Sequence, residues 1–415
     1  MVKKLLSLSI VAGAGVVSAC FGDGPTPSLP TRATVLFTGQ PIQNCYQGTY
    51  VGPVAIGSGS GYVTMLPFVP QGGNSGICNN QGGQVPDAPQ DVFAFNKDGG
   101  SLTSLGSAGE SSQAGHDYLT TTPTGVAYVY SEPSTMNTRA YVDPGHIQVG
   151  SGMGVDTPFG IAQSGSDLYV ELTSNPITTG QAEPDNPEYP CCGGGPGGGT
   201  TQASIWKVGG GSIAQVNPVC TTLDRCIVGN STSLIFVERP NTTGNELWRI
   251  TALATATSTP TMVASQSNGG EVPVGLDADD TTIAYTTSLT CTTMSSNDSC
   301  NVDECNVFAY DIASGMMTTL LSTGKWGCMD AKLADGYVYF TIVGWSQRTQ
   351  HMFGKGIGRV SIADRTFESL DLGIQGDAAG PRRVYPSGDR LYLVDPLVMA
   401  RIDAADLAGK HDFTP

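Results

Sequence analysis

The stretch LADGYVYFTI at residues 333–342 decides the fold, because it places an Asp- and Gly-containing turn directly before a run of aromatic and β-branched residues. Such a run favours a β-strand, and Asp and Gly favour the tight turn before it. Nearly the same phrase returns as SGSDLYVEL at 164–172 and as SGDRLYLVD at 387–395. Aligned on the aromatic residue, it occurs seven times, at intervals of 41 to 67 residues, at Tyr62, Tyr128, Tyr169, Phe236, Tyr285, Tyr339 and Tyr392. This spacing indicates an internal structural repeat.

A second strand-like phrase follows each copy of the first, and a turn and another short apolar stretch follow the second. The second phrases are VFAF at 92–95, RAYV at 139–142, IWKV at 205–208, LWRI at 247–250, VFAY at 307–310, IGRV at 357–360 and MARI at 399–402. Each unit therefore predicts four short strands. One such sheet buries both of its faces only when other sheets stack against it radially. The sequence thus predicts an all-β fold, a β-propeller of seven four-stranded blades, with six or eight blades as the alternatives.

The last repeat lacks a good fourth strand, because DAADLAGKHDFTP at 403–415 is a poor strand sequence. The segment ATVLFTG at 33–39 is a better one, and we expect this N-terminal strand to close the ring. The repeated phrases resemble the blades of NHL-type and quinoprotein-type bacterial propellers over residues 33–405. This resemblance implies the fold and no particular activity, because propellers carry many unrelated functions.

The first 20 residues combine a basic start, MVKK, an apolar run, and small residues before a cysteine, VSAC at 17–20. The pattern is typical of a secretory signal and resembles the lipobox of bacterial lipoproteins, which implies cleavage before Cys20 and a lipid on that cysteine. An ordinary secretory signal or an apolar anchor are the alternatives. The expected organisation is a signal peptide (1–19), the lipidated Cys and a Pro/Gly-rich tether (20–32), the propeller (33–405) and a C-terminal tail (406–415). The expected location is the bacterial cell envelope, at the outer membrane by default.

Charge excludes one class of partner. The chain has 20 Lys and Arg against 36 Asp and Glu, a formal net charge of −16, and loss of Lys3 and Lys4 with the leader makes it −18. Such an acidic protein is a poor ligand for nucleic acid or for an anionic membrane surface. Contact with a membrane is therefore expected only through the N-terminal lipid.

Ten cysteines remain once Cys20 is set aside, and in an exported protein they are expected to form disulfides. When the strands of a blade are lettered A to D from the inside, all ten fall in the B–C or D–A connections, which lie on one face of the disc. We call it the cysteine face. The ten are Cys45, Cys78, Cys191, Cys192, Cys220, Cys226, Cys291, Cys300, Cys305 and Cys328.

Proximity along the chain predicts some of the pairings. We expect Cys45–Cys78 and Cys220–Cys226, and a partner for Cys328 among Cys291, Cys300 and Cys305. Cys191 and Cys192 are expected to pair elsewhere, because neighbouring Cα atoms lie about 3.8 Å apart and disulfides need roughly 4.4–6.8 Å. No C-x-x-C spacing occurs, so a zinc site is not expected.

Sequence motifs for catalysis are absent. The chain has no G-x-S-x-G, no H-E-x-x-H and no P-loop. LDADDTT at 276–282 lacks the spacing of a calcium loop and is better explained as a polar turn. No cofactor is therefore predicted, although calcium stays open. AYDIASGMMTT at 309–319 matches the quinoprotein blade motif only in part, since Ser314 and Thr319 stand where Thr and Trp are expected.

The remaining candidates are polar and aromatic residues near the cysteine face. Convergent polar groups around an exposed Trp are typical of a binding site. The candidate binding residues are His116, Asp117, Asp224, Arg225, Trp326, Asp330, Trp345, His351, Arg382 and Arg383. They favour a lipid-anchored binding or scaffold module whose partner is a protein or a glycan. The alternatives are an exported propeller enzyme (a metal- or quinone-dependent lyase, lactonase or dehydrogenase) and a purely structural envelope component.

Overall fold

The computed structural model is a seven-bladed β-propeller, and its described residues contain β-strands and one short helix. The structure describes residues 31–415 except for the segments that follow. They are 39–40, 43–46, 58, 69–90, 100, 108–117, 134–137, 151–156, 174–202, 217–226, 239–245, 268–271, 289, 293–298, 302–303, 347–350, 375–380, 382 and 396–397.

The first strand, β1 (Thr34–Thr38), belongs to the last blade, and blades 1 to 3 follow it in the chain. Blade 1 holds β2 (Pro41–Ile42), β3 (Gln47–Ile56), β4 (Gly61–Phe68), β5 (Asp91–Phe95) and β6 (Leu102–Ser107). Blade 2 holds β7 (Tyr118–Thr122), β8 (Gly125–Pro133), β9 (Thr138–Asp143) and β10 (Ile147–Val149). Blade 3 holds β11 (Thr157–Ser164), β12 (Asp167–Thr173), β13 (Ala203–Lys207) and β14 (Ser212–Val216).

Blades 4 to 7 repeat the same antiparallel order. Blade 4 holds β15 (Ile227–Gly229), β16 (Ser233–Glu238), β17 (Glu246–Ala254) and β18 (Thr259–Ser267). Blade 5 holds β19 (Val272–Ala278), β20 (Thr282–Ser288), β23 (Cys305–Asp311) and β24 (Met316–Thr323), with the hairpin β21 (Thr290–Thr292) and β22 (Ser299–Asn301) between its second and third strands. Blade 6 holds β25 (Gly327–Ala334), β26 (Tyr337–Ser346), β27 (His351–Ser361) and β28 (Phe367–Asp371). Blade 7 holds β29 (Arg383–Ser387), β30 (Arg390–Asp395), β31 (Val398–Asp403) and β1, and α1 (Ala404–Leu407) follows it.

The repeated aromatic residues lie in the second of the four main strands of every blade, as the sequence predicts; in blade 1, which carries the extra strand β2, this is β4. Six of the seven are buried, and Tyr62 is half-buried. Buried side chains of the described residues form seven clusters, and each cluster lies between two neighbouring blades. Odd and even positions of a second strand therefore pack against opposite neighbours. In β12, for example, Tyr169 belongs to the cluster shared with blade 4 and Val170 to the cluster shared with blade 2.

The N-terminal strand closes the ring, which confirms the prediction. Antiparallel pairing joins β1 to β31, with Thr34 opposite Arg401 and Thr38 opposite Val398. Phe37 also reaches blade 1, where its ring lies 5.7 Å from that of Phe95. One short strand thus completes blade 7 and helps to seal it against blade 1.

The C-terminal residues pack along the outer edge of blade 6. Ser369 donates its backbone N–H to the Lys410 carbonyl at 2.8 Å and accepts one from Asp412 at 3.1 Å. Asp412 also forms an ion pair with Arg32 at 3.0 Å, and the Phe413 ring packs on the cluster between blades 5 and 6. Both ends of the described chain therefore meet on blade 6.

The connections divide between the two faces of the disc. Short A–B and C–D turns lie on one side, which we call the turn face, and the B–C and D–A connections lie on the other, the cysteine face. Among the described residues no helix has the length and apolar character to cross a membrane.

Candidate functional site

A disulfide joins blades 5 and 6 at the cysteine face. Cys305, the first residue of β23, bonds to Cys328, the second residue of β25, and both are fully buried. The prediction that Cys328 pairs with one of three nearby cysteines is confirmed. The sequence suggested that Cys328 lies in the connection before blade 6, whereas the structure places it inside the innermost strand of that blade.

A small hairpin extends the same face. It consists of β21 and β22, and its backbone register places Cys291 directly opposite Cys300. Directly opposite positions of an antiparallel pair bring Cα atoms to about 4.5–5.5 Å, which lies within the range that disulfides span, so the backbone register is compatible with a bond between these two cysteines. Their side chains, and the six cysteines that come before them from Cys45 to Cys226, lie outside the described residues.

Five of the predicted binding residues fall outside the described part of the chain, and two lie in strands and not in the predicted loops. His116, Asp117, Asp224, Arg225 and Arg382 lie outside the described residues. Trp345 and His351 were predicted in loops and instead belong to the long hairpin of β26 and β27, where Trp345 pairs with Met352 and Ser346 with His351. The side chains of both are outside the description.

Trp326 is a correction to the sequence analysis. We predicted an exposed Trp on a rim, and the structure buries it, with 6% of its surface exposed. Its ring stacks on Phe340 and Phe367 at centroid distances of 6.2 and 5.6 Å, and its Nε1 donates to the Thr414 carbonyl at 3.1 Å. Trp326 therefore joins the C-terminal tail to blade 6 and offers no exposed ring for a partner.

Asp330 and Lys332 form a buried ion pair near the central channel. Lys332 Nζ lies 2.7 Å from Asp330 Oδ1, and both side chains are less than a tenth exposed. Asp330 Oδ2 accepts the backbone N–H of Val384 at 3.0 Å, and Lys332 Nζ lies 5.2 Å from the centre of the Tyr385 ring. Because Val384 and Tyr385 belong to β29, the pair ties the innermost strands of blades 6 and 7 together.

The backbone of β25 is irregular at Asp330, the acidic member of this pair. Asp330 has a left-handed φ of 65° at a bulge in β25, and Thr286 donates its hydroxyl to the Asp330 carbonyl at 2.9 Å. A Cβ on Gly275 of β19 would lie 2.1 Å from the Asp330 carbonyl carbon, so only glycine lets the two strands approach this closely. Asp330 and Lys332 thus hold three inner strands in place. Arg383, also predicted for binding, lies half-buried in β29 opposite Val394.

The sequence analysis missed a cluster of carboxyl groups between blades 3 and 4. Glu171 of β12 and Glu238 of β16 follow the repeated aromatic residues of their blades by two positions, so they share a side with Tyr169 and Phe236 and face one another's blade. Glu238 accepts hydrogen bonds at Oε1 from Arg249 Nε at 2.8 Å and from Thr251 Oγ1 at 2.7 Å. Both oxygens of Glu171 are buried and have no hydrogen-bond partner among the residues that the structure describes.

The two carboxyl groups differ in their electrostatic surroundings. Burial, followed by the nearby charge of Glu238, raises the pKa of Glu171 from 4.5 to about 8. Glu171 is therefore mostly protonated at neutral pH, whereas Glu238 forms an ion pair with Arg249 at 2.8 Å. A carboxylic acid with a raised pKa beside an ion-paired carboxyl group is an arrangement that acid–base enzymes use. Glu171 could have been recognised in the sequence LYVEL at 168–172, because it lies on the same side of the strand as the buried Tyr169.

A cavity opens at the turn-face end of the central channel. Its volume is about 340 Å³, and the innermost strands of blades 2 to 5 contribute to its wall. Hydroxyl and amide side chains dominate its polar lining, with Thr121, Gln163, Asn230 and Ser231 among them and Asp277 as an acid. Asp279 accepts the Thr282 N–H within its own turn, and Asp280 accepts the Ser231 N–H from the neighbouring turn of blade 4, so LDADDTT is the polar turn that we predicted.

Comparisons with known proteins identify a fold and no family. No protein-family model matches the chain, and no curated protein matches it. An oligogalacturonate lyase from Vibrio parahaemolyticus is 9% identical over 90% of this chain and 93% of that chain, with a TM-score of 0.50. A puromycin hydrolase is 10% identical over 86% of this chain and 52% of that one, with a TM-score of 0.46. At such identity the likeness to the lyase shows a shared propeller fold and nothing further.

Proposed function

We propose that this chain is an exported, lipid-anchored β-propeller that binds a protein or glycan partner through its cysteine face. The leader sequence ending in VSAC supports export and lipidation. The Cys305–Cys328 disulfide is the observation that carries the binding role, because it fixes neighbouring blades covalently at the base of that face. A surface that is rigid before binding loses less conformational entropy when a partner is bound.

The hairpin β21–β22 supports the same assignment. It adds a paired extension to the cysteine face of blade 5, beyond the four strands that the propeller needs. Connections on the turn face are short, as in the turns at 165–166 and 335–336. Extra ordered structure on one face of a rigid scaffold is where recognition residues are usually found.

Site-specific photo-crosslinking in the native cells tests this proposal. A photoreactive amino acid at Ser299 of β22 is expected to give a discrete crosslinked product, because the hairpin lies on the proposed binding face. The matched control places the same amino acid at Thr257, in a C–D turn on the opposite face, and is expected to give none. Crosslinking at Thr257 without crosslinking at Ser299 would place the partner on the turn face and would contradict the proposal.

An exported propeller enzyme is the alternative, and the Glu171–Glu238 pair is the observation that favours it. One carboxyl group can donate a proton while the other accepts one, as hydrolysis or β-elimination of a sugar chain requires. The net charge of −16 disfavours a polyanionic substrate such as an oligogalacturonate. Native mass spectrometry of residues 31–415 separates the alternatives further, because added mass from a metal or quinone would favour the enzyme.

A further inference from the structure

Four side chains form a hydrogen-bonded and stacked group at the turn face of blade 2. They are Tyr130 of β8, Tyr141 and Asp143 of β9, and His146 of the turn that follows. Asp143 accepts the backbone N–H of His146 at Oδ1, at 2.7 Å, and the Tyr130 hydroxyl at Oδ2, at 3.0 Å. The carboxylate thus uses both oxygens to hold the turn and the tyrosine.

The same bonds determine the tautomer of His146. The Tyr130 oxygen lies 2.8 Å from His146 Nδ1. Tyrosine has a single hydroxyl hydrogen, and Asp143 takes it, so the Tyr130 oxygen must accept a hydrogen from Nδ1. In the neutral ring Nε2 is then an unprotonated acceptor. It lies on the side of the ring away from Tyr130.

His146 is exposed and nevertheless held in one position. Its ring stacks on Tyr141 with centroids 4.2 Å apart and planes 6° from parallel. Its backbone has a left-handed φ of 50°, which is uncommon for a residue other than glycine. A stacked ring, a fixed Nδ1 and an unfavourable backbone together orient an acceptor that no other described residue uses. Such pre-organisation is typical of binding sites.

We propose that Tyr130, Tyr141, Asp143 and His146 form a carbohydrate-binding site on the turn face, separate from the partner site of the cysteine face. A sugar hydroxyl would donate to His146 Nε2, and the C–H face of the sugar ring would pack on the exposed imidazole ring, whose other face stacks on Tyr141. The site offers an oriented acceptor nitrogen on an exposed aromatic ring, while both oxygens of Asp143 are already bonded to Tyr130 and to the turn. A neutral, hydroxyl-rich ring fits this chemistry better than a charged ligand.

Nuclear magnetic resonance of the ¹⁵N-labelled soluble domain (residues 31–415) tests the proposal with three probes: maltotriose, cellotriose and chitotriose. We expect at least one of them to shift the His146 imidazole signals in a saturable way. His146→Ala and Tyr141→Leu should weaken that binding at least tenfold. Tyr130→Phe keeps the aromatic ring but removes the hydroxyl that orients Nδ1, and it should weaken binding several-fold.

Matched controls and two negative outcomes keep the test decisive. His411→Ala and Tyr310→Leu change the same residue types in the tail and in blade 5 and should leave the affinity unchanged. If none of the three saccharides moves the His146 signals, the proposal is wrong. It is equally wrong if binding persists in both His146→Ala and Tyr141→Leu. Should either of those variants unfold, the Tyr130→Phe affinity and the wild-type titration decide.

Discussion

At the scale of single residues, Glu171 is the group whose presence demands the most explanation. The equivalent position in four other blades holds a buried Thr or Val, namely Thr64, Thr287, Thr341 and Val394. Any of these would suit the interior better than a carboxyl group that has no hydrogen-bond partner in the described part of the chain. Because its pKa is raised to about 8 by burial and by Glu238, Glu171 makes folding depend on pH.

Glu171→Gln should stabilise the protein in alkaline solution. The folded-state pKa of Glu171 lies above its ordinary value of 4.5, so the protonated group favours folding fully below pH 4.5. This contribution is lost as the pH rises to about 8, and at 1.36 kcal/mol per pKa unit its upper limit is about 5 kcal/mol. Urea unfolding of wild type and variant at acidic, neutral and alkaline pH should show a gap in stability that widens with pH. Glu238→Gln is the matched control and should bring no gain, because Arg249 and Thr251 already stabilise that carboxylate. A gap that does not vary with pH would contradict the assigned protonation state.

Asp330→Ala should be much more destabilising than Lys332→Met. The first variant removes the carboxylate that lies 2.7 Å from the buried Lys332 ammonium and also the acceptor of the buried Val384 N–H, at a cost of about 3–5 kcal/mol. In the second, Asp330 keeps the backbone N–H groups of Ala331 and Val384 as donors, so the loss should be smaller. Denaturant unfolding measures both. Equal losses would mean that the ion pair is not what holds these inner strands.

Residue roles could be predicted from the sequence only where the strand pattern constrains them. The buried positions of the repeated aromatic residues followed directly from the alignment. Trp326 did not, because KWGC reads as a polar connection, and burial of the ring depends on Phe413, which lies 87 positions further along the chain. Glu171 was overlooked in the sequence although it lies two positions after Tyr169 and therefore on the same side of its strand.

At the scale of elements, the Cys305–Cys328 bond should stabilise blades 5 and 6 against unfolding. It closes a loop with a sequence separation of 23 residues, for which chain entropy predicts about 3 kcal/mol. The double variant Cys305→Ala/Cys328→Ala should therefore unfold at a lower urea concentration than wild type. Cys291→Ala/Cys300→Ala is the matched control, since that hairpin lies outside the four strands of blade 5 and should affect stability less. An equal loss in both variants would contradict a special role for the bond between blades.

Removal of residues 410–415 should loosen the outer edge of blade 6. The truncation removes the Phe413 ring, the Thr414 carbonyl that accepts from Trp326, and the backbone bonds to Ser369, a loss of roughly 3 kcal/mol. Trp326 fluorescence should shift towards longer wavelength because the ring becomes exposed to water. His411→Ala retains these contacts and should behave like wild type. An unchanged spectrum in the truncated protein would show that the tail does not cover Trp326.

The existence of strands was easier to predict than their limits. Period-two alternation and Asp- or Gly-containing turns located the second and third strands of all seven repeats. The hairpin β21–β22 was not predicted, because TCTTMSSNDSC has the composition of a loop. The edge contact between the tail and β28 depends on residues about 40 positions apart, such as Ser369 and Asp412, which no local pattern specifies.

At the scale of the whole molecule, each blade is stable only through its neighbours. The seven apolar clusters all lie between blades, so opening the ring at any one place exposes two apolar sheet faces. Closure of the ring between blades 7 and 1 uses the N-terminal strand. It depends on the pairing of β1 with β31 and on contact of Leu36 and Phe37 with the cluster between those blades.

Deletion of residues 31–38 should therefore open the ring, and the missing strand should act when it is supplied separately. Without β1, the edge of β31 and the Met399 side of blade 7 lose their cover, so the variant should unfold at lower urea concentration and tend to self-associate. A peptide with the sequence of residues 31–38 should restore stability in a saturable, concentration-dependent way, because it regains the same backbone pairing. A scrambled peptide provides the control for composition, and a Phe37→Ala peptide should rescue less because it lacks the ring that meets Phe95. If the deleted protein is as stable as wild type, blades 1 to 7 close without the N-terminal strand, and its pairing with β31 is a consequence of the fold and not a cause.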